Sequence, residues 1–314
     1  MAVTTIPWGD GSGDNIYLTY PSASGDQTIQ VSSDAYAGST DRTKTITFTA
    51  SHHGTSDTKT LTVVQEGVPE QYIVFKDPAV EAICAAQWGD GVGIKPSQAA
   101  AVPFSTNVQK KAFWNAFSSI KTTMTSFDEL VYFTNVNMVN GQFFLNNTVL
   151  TSIDLTNIKE IQYQAFKGCT ALAMELDLPN ITGTSGMDYE CFSGSGITKV
   201  KSLGSITYMG AYSNFYNCTS LTEAVVPATL TSMGRQQFQG CTNLRYVVML
   251  PTTPPSIANQ NFRNSGNCVI YVPYSADHSI LTAYQTTWGA NANANTYDVP
   301  RLAELNPDGT VPTS

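Results

Sequence analysis

Two groups of residues have the side chains needed for acid–base or nucleophilic chemistry. The run Asp277-His278-Ser279 contains the three residue types of a hydrolase triad, but sequence neighbours rarely converge as one, and the chain has no G-x-S-x-G nucleophile elbow. Glycan hydrolysis would need two carboxylates about 5–10 Å apart across a cleft. The best-placed acids are scattered without a pattern that pairs them: Glu160, Glu175 and Glu190. We therefore predict that the protein is not an enzyme.

Acidic and histidine-bearing loops are the places where a metal ion would bind. The loop WGDGSGD at 8–14 offers Asp10 and Asp14, which could share an ion at a subunit interface, but a single copy favours a flexible attachment arm. The pair His52-His53 lies in a predicted hairpin, where zinc would need two further ligands. Glycine-rich stretches lack the lysine of a nucleotide-binding loop. We predict neither a metal nor a cofactor.

The six cysteines allow either three disulfides or buried thiols: Cys84, Cys169, Cys191, Cys218, Cys241 and Cys268. Three of them, Cys169, Cys218 and Cys241, occupy one position of a repeated motif. A position that recurs in this way is set by packing. We therefore favour reduced, buried cysteines that behave as small apolar residues.

The composition excludes several classes of function. Of 314 residues, 42% are apolar and 13% charged, and the net charge of −8 comes without any Lys/Arg run, so nucleic-acid binding is not expected. No apolar run approaches the roughly 18 residues of a membrane span. The opening residues MAVTTIPWGDGSGD lack the basic and apolar segments of a secretion signal. We expect a product made in the cytoplasm.

A motif of phenylalanine, cysteine or asparagine, and leucine recurs along residues 135–268. Its phenylalanines are separated by 22, 26, 23, 23 and 24 residues, with a strand-like segment in each copy. This period is typical of a leucine-rich-repeat solenoid, in which stacked copies bury what one copy cannot. The predicted column residues are Phe144, Phe166, Cys169, Leu172, Phe192, Phe215, Cys218, Leu221, Phe238, Cys241, Leu244 and Phe262.

The elements on either side of the repeats follow two other periods. Residues 1–68 alternate apolar and Thr-rich positions in four segments (16–20, 27–33, 44–51 and 59–66), which predicts a small immunoglobulin-like β-sandwich. Residues 69–134 predict a helical cap of three or four short helices, with Asp77 as N-cap, Val108 on a buried face, and a capping box from Ser126 to Glu129. The solenoid with its C-terminal cap spans 135–289, and 290–314 is a loosely packed tail. The predicted fold class is thus mixed and multi-domain.

Two resemblances are carried by these motifs. Residues 135–289, with F-x-G/N-C-T-x-L and LPTTPPSIANQNF…CVIYVPYSA, resemble the BspA-like leucine-rich repeats of gut-bacterial surface proteins. Residues 1–67, with an Arg-Thr strand and a final V-x-Q-x-G, resemble a BACON-type β-sandwich module. The stretch WGDGVGIKPSQ resembles a dockerin-type or EF-hand calcium loop in which only Asp90 remains of the carboxylates, so we interpret it as metal-free.

The resemblances imply adhesion and binding rather than chemistry. Similar modules without export signals occur in virion proteins of tailed phages of gut bacteria, so we predict a head fibre or capsid decoration protein. The expected partners are other virion proteins, host-surface or mucin glycans, and further copies of the chain. The alternative is a bacterial cell-surface adhesin or glycan-binding module. Five tyrosines are candidate binding residues, because exposed rings stack on sugars or proteins: Tyr163, Tyr189, Tyr208, Tyr212 and Tyr216.

Overall fold

The computed structural model describes residues 2–20, 30–36, 41–52, 55–292 and 300–312. Contacts divide the chain into two units, Met1–Gln71 and Tyr72–Ser314, which are described separately. The finer division at 134 and 289 stays a prediction. Residues 27–29 of a predicted strand, His53 and the side chain of His52 lie outside the described part.

The N-terminal unit contains two small antiparallel sheets. The first has the order β1-β2-β3 and the second is a hairpin of β4 and β5. The strands are β1 (Ala2–Pro7), β2 (Asn15–Tyr20), β3 (Gln30–Ser33), β4 (Arg42–His52) and β5 (Thr55–Gln65). Trp8, Ile16, Leu18 and Ile46 form one buried cluster, with Ile46 pointing inward while Thr45 and Thr47 are exposed as the alternation predicts. The immunoglobulin-like sandwich itself stays a prediction.

The acidic loop at 8–14 is held by an arginine. Arg42 is 7% exposed, and its Nη1 donates to Asp10 at 3.0 Å and to Asp14 at 2.9 Å. The preceding residues form β1, which the sequence analysis missed. The prediction of a flexible arm is therefore wrong, because both carboxylates neutralise one nearly buried cation.

The same arginine connects the two sequence motifs of the β4–β5 hairpin, the Arg-Thr pair that begins β4 and the V-x-Q-x-G motif that ends β5. The Nε and Nη2 of Arg42 donate to the Oε1 of Gln65, the glutamine of the V-x-Q-x-G motif, at 3.1 and 2.8 Å. The guanidinium lies between the rings of Trp8 and Tyr36, 4.3 and 4.0 Å from their centroids. The two motifs therefore contain a buried charge, the guanidinium of Arg42, and one of its hydrogen-bond acceptors, the side chain of Gln65.

The second unit begins with a helical block. It contains α1 (Pro78–Trp88), α2 (Pro96–Ala100), α3 (Asn107–Ala116) and a 3-10 helix (Asp128–Tyr132). As predicted, Asp77 caps α1, where it accepts from the N–H groups of Ala79 and Val80.

Two details of this block differ from the sequence-based expectation. Val108 is 78% exposed, because Phe113 and Trp114 supply the buried face of α3. No capping box forms at Ser126, which lies in a short strand; Oε1 of Glu129 accepts instead from the N–H of Lys76.

The repeat region consists of coils whose short strands pair in parallel. In chain order the strands are β6 (Ser126–Phe127), β7 (Met138–Val139), β8 (Ser152–Ile153), β9 (Glu160–Ile161), β10 (Glu175–Asp177), β11 (Thr182–Gly183), β12 (Lys199–Ser202), β13 (Ser205–Ile206), β14 (Tyr208–Tyr212), β15 (Glu223–Val226), β16 (Ser232–Arg235), β17 (Tyr246–Met249), β18 (Ser256–Ile257) and β19 (Val269–Val272). The longest sheet begins with β10-β12-β15-β17-β19 and ends with one further strand near the C-terminus, and β14-β16-β18 forms a second sheet. Three successive coils therefore contribute a strand to each of these sheets.

An unbroken column of aromatic rings runs through these coils. The six repeat phenylalanines stack in sequence order with centroid distances of 5.1 to 5.8 Å and interplanar angles of 3 to 11°. The motif leucines Leu172, Leu221 and Leu244 are buried beside them. The sequence-based prediction of a stacked spine is confirmed.

The cysteine position of the motif has a hydrogen-bonding role as well as a packing role. The Sγ of Cys169, Cys218 and Cys241 each donates, at 3.0 Å, to the carbonyl oxygen of the phenylalanine one coil earlier. Burial raises the pKa of the Cys218 thiol to about 11, so it stays a protonated donor at neutral pH. All six cysteines are buried and unpaired.

The C-terminal end is closed by α4 (Ser279–Ala292) and a last strand, β20 (Arg301–Glu304). Tyr284 and Trp288 are fully buried and donate to the carbonyl oxygens of Pro251 and Pro255, both at 2.9 Å. The expectation of a loose tail from 290 is wrong for β20, which pairs in parallel with β19 and covers its edge. Among the described residues, no helix is long and apolar enough to span a membrane.

Candidate ligand-binding face

Three of the five predicted tyrosines form a ladder on the repeat region. Tyr163, Tyr189 and Tyr212 each lie three residues before a column phenylalanine, so successive coils place them side by side. Tyr163 and Tyr189 stack at 5.6 Å, and Tyr189 and Tyr212 at 5.0 Å. Their exposed edges form a row along several coils, which we call the tyrosine ladder.

The stacking limits what the ladder can contact. Both faces of the Tyr189 ring are covered by its neighbours, so this ring cannot stack on a sugar as the sequence analysis expected. Burial raises the pKa of the Tyr189 hydroxyl, which keeps it protonated as a hydrogen-bond donor. Tyr208 and Tyr216 are half-buried and lie outside the ladder. The five tyrosines are therefore not equivalent.

A second ladder, of polar side chains, was missed by the sequence analysis. The residue two places before each column phenylalanine has a positive φ of 55 to 64°, and most of these residues are glutamine: Gln142, Gln164, Glu190, Ser213, Gln236 and Gln260. The Nε2 of Gln142 donates to the Oε1 of Gln164 at 2.7 Å, and Gln236 repeats this contact with Gln260 at 3.0 Å. The signal was a polar residue two places before each phenylalanine.

Glu190 is the charged member of this row. It accepts from the Nε2 of Gln164 and from the Nζ of Lys167, the latter at 2.7 Å. Burial opposes ionisation of the carboxyl, but these hydrogen bonds outweigh it and lower the pKa of Glu190 below its usual value. Glu190 is thus an ion-paired structural carboxylate.

Two shallow cavities lie beside the tyrosine ladder. The first, of about 420 Å³, is lined by polar and basic groups together with Tyr163: Asn107, Lys110, Lys111, Asn115, Met138, Asn140, Gly141, Gln162 and Tyr163. The second, of about 280 Å³, is more acidic: Glu160, Thr184, Ser185, Met187, Asp188, Tyr208, Gly210 and Ala211. A larger cavity of about 730 Å³ at the last coil includes Pro300 and borders an undescribed segment. The two ladder cavities are the better-defined candidates, because every neighbouring segment is described.

The outward row of the long sheet carries paired charges. Lys199 lies 3.7 Å from Glu175 and 3.4 Å from Glu223, and Glu223 also binds Arg245. These charges neutralise one another in neighbouring coils, so they offer less to a ligand than the ladder cavities do.

The other sequence candidates have structural partners. Nδ1 of His278 lies 2.6 Å from the carboxylate of Glu304, while Asp277 accepts from the N–H of Ser279, so the three neighbours do not assemble a triad. Asp90 accepts from the hydroxyl of Tyr72 and from two backbone N–H groups, and these bonds lower its pKa to about 2. No described group of three or more metal-ligating side chains forms a site for an ion.

Parallel coils with one phenylalanine, one leucine and one small donor per turn define a leucine-rich-repeat solenoid. The chain belongs to the BspA type leucine-rich repeat family, whose model matches six copies over residues 104–173 and 137–269, more than half of the chain. This is a repeat-rich fold of the surface or adhesion type.

A solved leucine-rich repeat protein from Bacteroides ovatus ATCC 8483 is similar to 56% of the chain, with 15% identity and a TM-score of 0.21. The chain covers 60% of that protein's length. No curated protein matches the chain.

Proposed function

We propose that this is a non-enzymatic adhesion protein that binds host-surface or mucin glycans along the tyrosine ladder. The observation that carries the proposal is the ladder itself. Three phenol edges about one coil apart, flanked by two polar cavities, match the repeating hydroxyls of an extended glycan chain.

The absence of a catalytic role is part of this proposal. Two of the three acids considered for hydrolysis are held in ion pairs, Glu175 with Lys199 and Lys201 and Glu190 with Lys167. Turnover of any member of a polysaccharide panel by the purified protein would contradict it.

The test replaces the ladder hydroxyls without disturbing the stack. A triple variant with Tyr163, Tyr189 and Tyr212 changed to Phe keeps the rings and removes only the hydrogen-bonding edges. We expect its binding to immobilised gut mucin to weaken about tenfold or more, the equivalent of roughly one lost hydrogen bond. The control changes Tyr132 and Tyr274, which are 42% and 41% exposed away from the ladder, to Phe. Equal binding by both variants would contradict the ladder as the binding site.

For the place of display we propose the virion of a tailed phage, as a head fibre or decoration protein, with the bacterial cell surface as the alternative. The support is the resemblance of residues 1–67 to BACON-type modules together with the repeat family. Mass spectrometry of purified virions tests this, and absence of the chain from them would contradict it. The N-terminal unit would then attach to capsid or other virion proteins.

We further propose that the displayed form is a homo-oligomer, because symmetric assemblies raise avidity for repeated ligands. Light scattering of the purified protein gives the mass in solution. A monomer at all concentrations tested would contradict the proposal.

A further inference from the structure

We propose that the tyrosine ladder is a site of oxidative cross-linking, at which Tyr189 forms a covalent dityrosine bond with Tyr212 or with Tyr163. The co-reactant is a one-electron oxidant of the peroxidase type together with hydrogen peroxide. The bond joins neighbouring coils of the solenoid, and it forms whether or not a glycan binds the ladder.

The backbone holds the ladder rings level with one another. The N–H of Gln164 donates to the carbonyl oxygen of Tyr189, and the N–H of Glu190 donates to that of Tyr212, both at 3.0 Å. Neighbouring ladder residues therefore lie about one strand spacing apart, roughly 4.8 Å, and their side chains have the same length. Because the two residues of each pair occupy the same position in successive coils, the same edges of their rings adjoin.

The rings lie close enough for a bond to form after small movements of the side chains. The centroids of Tyr189 and Tyr212 are 5.0 Å apart with 28° between the ring planes, and those of Tyr163 and Tyr189 are 5.6 Å apart with 22°. A tilt of this size brings one end of the two rings closer together than their centroids. Coupling joins the Cε carbons, which flank the hydroxyl-bearing carbon, and equivalent Cε carbons belong to the adjoining edges.

An oxidant reaches the ladder at both of its ends. Tyr163 is 37% exposed and Tyr212 is 41% exposed, while Tyr189 is half-buried between them and stacks on both. Loss of an electron and a proton from either end phenol therefore produces a radical in contact with a second oxidisable ring. The six cysteines, whose thiols would otherwise reduce such a radical, are all buried. The radical therefore persists until a second phenol of the ladder is oxidised.

The cross-link forms with a closed balance of atoms and electrons. Two phenols each lose one electron and one proton, and hydrogen peroxide takes up both to form two molecules of water. The two phenoxyl radicals then couple through a bond between their Cε carbons. The hydrogen on each of these carbons moves to the phenolic oxygen, which restores both aromatic rings. The product is the chain without two hydrogen atoms, and it keeps both hydroxyl groups.

Another contact between tyrosine rings lies outside the ladder and differs in geometry. Tyr246 and Tyr271 meet edge to face, with centroids 6.0 Å apart and 77° between the ring planes. The edge of one ring points at the face of the other, so equivalent Cε carbons do not adjoin there. The stacked ladder is therefore the better site for coupling.

The experiment oxidises the dilute full chain with a peroxidase and a limiting amount of hydrogen peroxide. We expect a monomer that has lost two hydrogen atoms, the blue fluorescence of dityrosine, and a peptide map that joins Tyr189 to Tyr212 or to Tyr163. Tyr189→Phe keeps the ring and the stack but removes the shared phenol, so it should lose this product. Tyr132→Phe, at an exposed tyrosine outside the ladder, is the matched control and should keep it. Circular dichroism confirms that each variant is folded.

Oxidation of the same chain in urea separates the effect of the stack from that of the tyrosine content. Unfolding removes the ring contacts, so the yield of the intramolecular product should fall, while free tyrosine oxidised in the same solution shows that the oxidant is active. An equal yield in urea, an equal yield from Tyr189→Phe, or links between chains alone would overturn the inference. An unmodified folded chain beside cross-linked free tyrosine would also overturn it. The mucin assay decides the proposed function separately.

Discussion

The rings of Phe215 and Phe238 lie parallel, 5.5 Å apart with 7° between their planes, although 23 residues separate them in the chain. Each ring also stacks on a further phenylalanine, so both faces of each are covered by protein. The distance between neighbouring coils therefore equals the stacking distance of two phenylalanine rings. One phenylalanine in each repeat is enough to keep the column continuous from coil to coil.

Truncation of Phe238 to alanine should lower the free energy of unfolding by about 3–5 kcal/mol, because it leaves a cavity in the middle of the column. Val108→Ala, at a position 78% exposed, should change it by less than about 0.5 kcal/mol. Urea denaturation followed by circular dichroism measures both. A loss below about 1 kcal/mol for Phe238→Ala would show that the phenylalanine column does not stabilise the fold.

Cys218→Ser should make stability less sensitive to alkaline pH. Burial raises the pKa of the Cys218 thiol from about 9 to about 11. Between these pH values the thiol is ionised in the unfolded chain but protonated in the native state, so the free energy of unfolding decreases as the pH rises. Stability from this thiol is full below pH 9 and falls by up to about 1.4 kcal/mol per pH unit above it.

The measurement is urea denaturation of both proteins under reducing conditions at several pH values. Serine occupies the same motif position at Ser195 and Ser265, so the substitution is compatible with the coil. The difference in the free energy of unfolding between wild type and variant should shrink from pH 9 to 11. A difference that does not change with pH would contradict the assigned burial.

Gly234→Ala should destabilise the solenoid, because a Cβ there would lie 2.1 to 2.5 Å from backbone atoms of Gly210 and Ala211. The coils would have to separate, at a cost of about 1–3 kcal/mol. Gly289, exposed in α4, meets nothing within 4 Å, so the same substitution should raise stability by about 0.5–1 kcal/mol. Thermal denaturation should give shifts of opposite sign, and a neutral Gly234→Ala would refute the close approach.

Asp10→Asn should weaken the N-terminal unit and reduce its sensitivity to acid. Hydrogen bonds from Ser12 and then Arg42 hold the pKa of Asp10 well below its usual value. The unfolded chain therefore takes up a proton near pH 4 while the folded unit resists, and stability falls as the pH drops further. The NMR signal of the Trp8 indole reports unfolding of this unit, and an identical acid response in the variant would contradict the role of Asp10.

Much of the repeat region could be predicted from the sequence, because a column repeats one residue type at one interval. Phe166 and Phe215 are visible in this way, and so is Asp77 before Pro78, since a cap is a local signal. The ion pair between Arg42 and Asp10 could not be predicted, because it joins residues 32 positions apart that no repeated motif marks. The close approach of Gly141 to the Tyr163 ring in the next coil could not be predicted either, because it depends on the register of the two coils.

The coils differ in length where the second cavity forms. The interval from Phe166 to Phe192 is 26 residues, the longest of the five, and it contains Thr184, Ser185 and Asp188 of the cavity lining. The two phenylalanines nevertheless stack at 5.1 Å with only 3° between their planes. Insertions at this edge can therefore diversify recognition during evolution while the aromatic spine keeps its geometry.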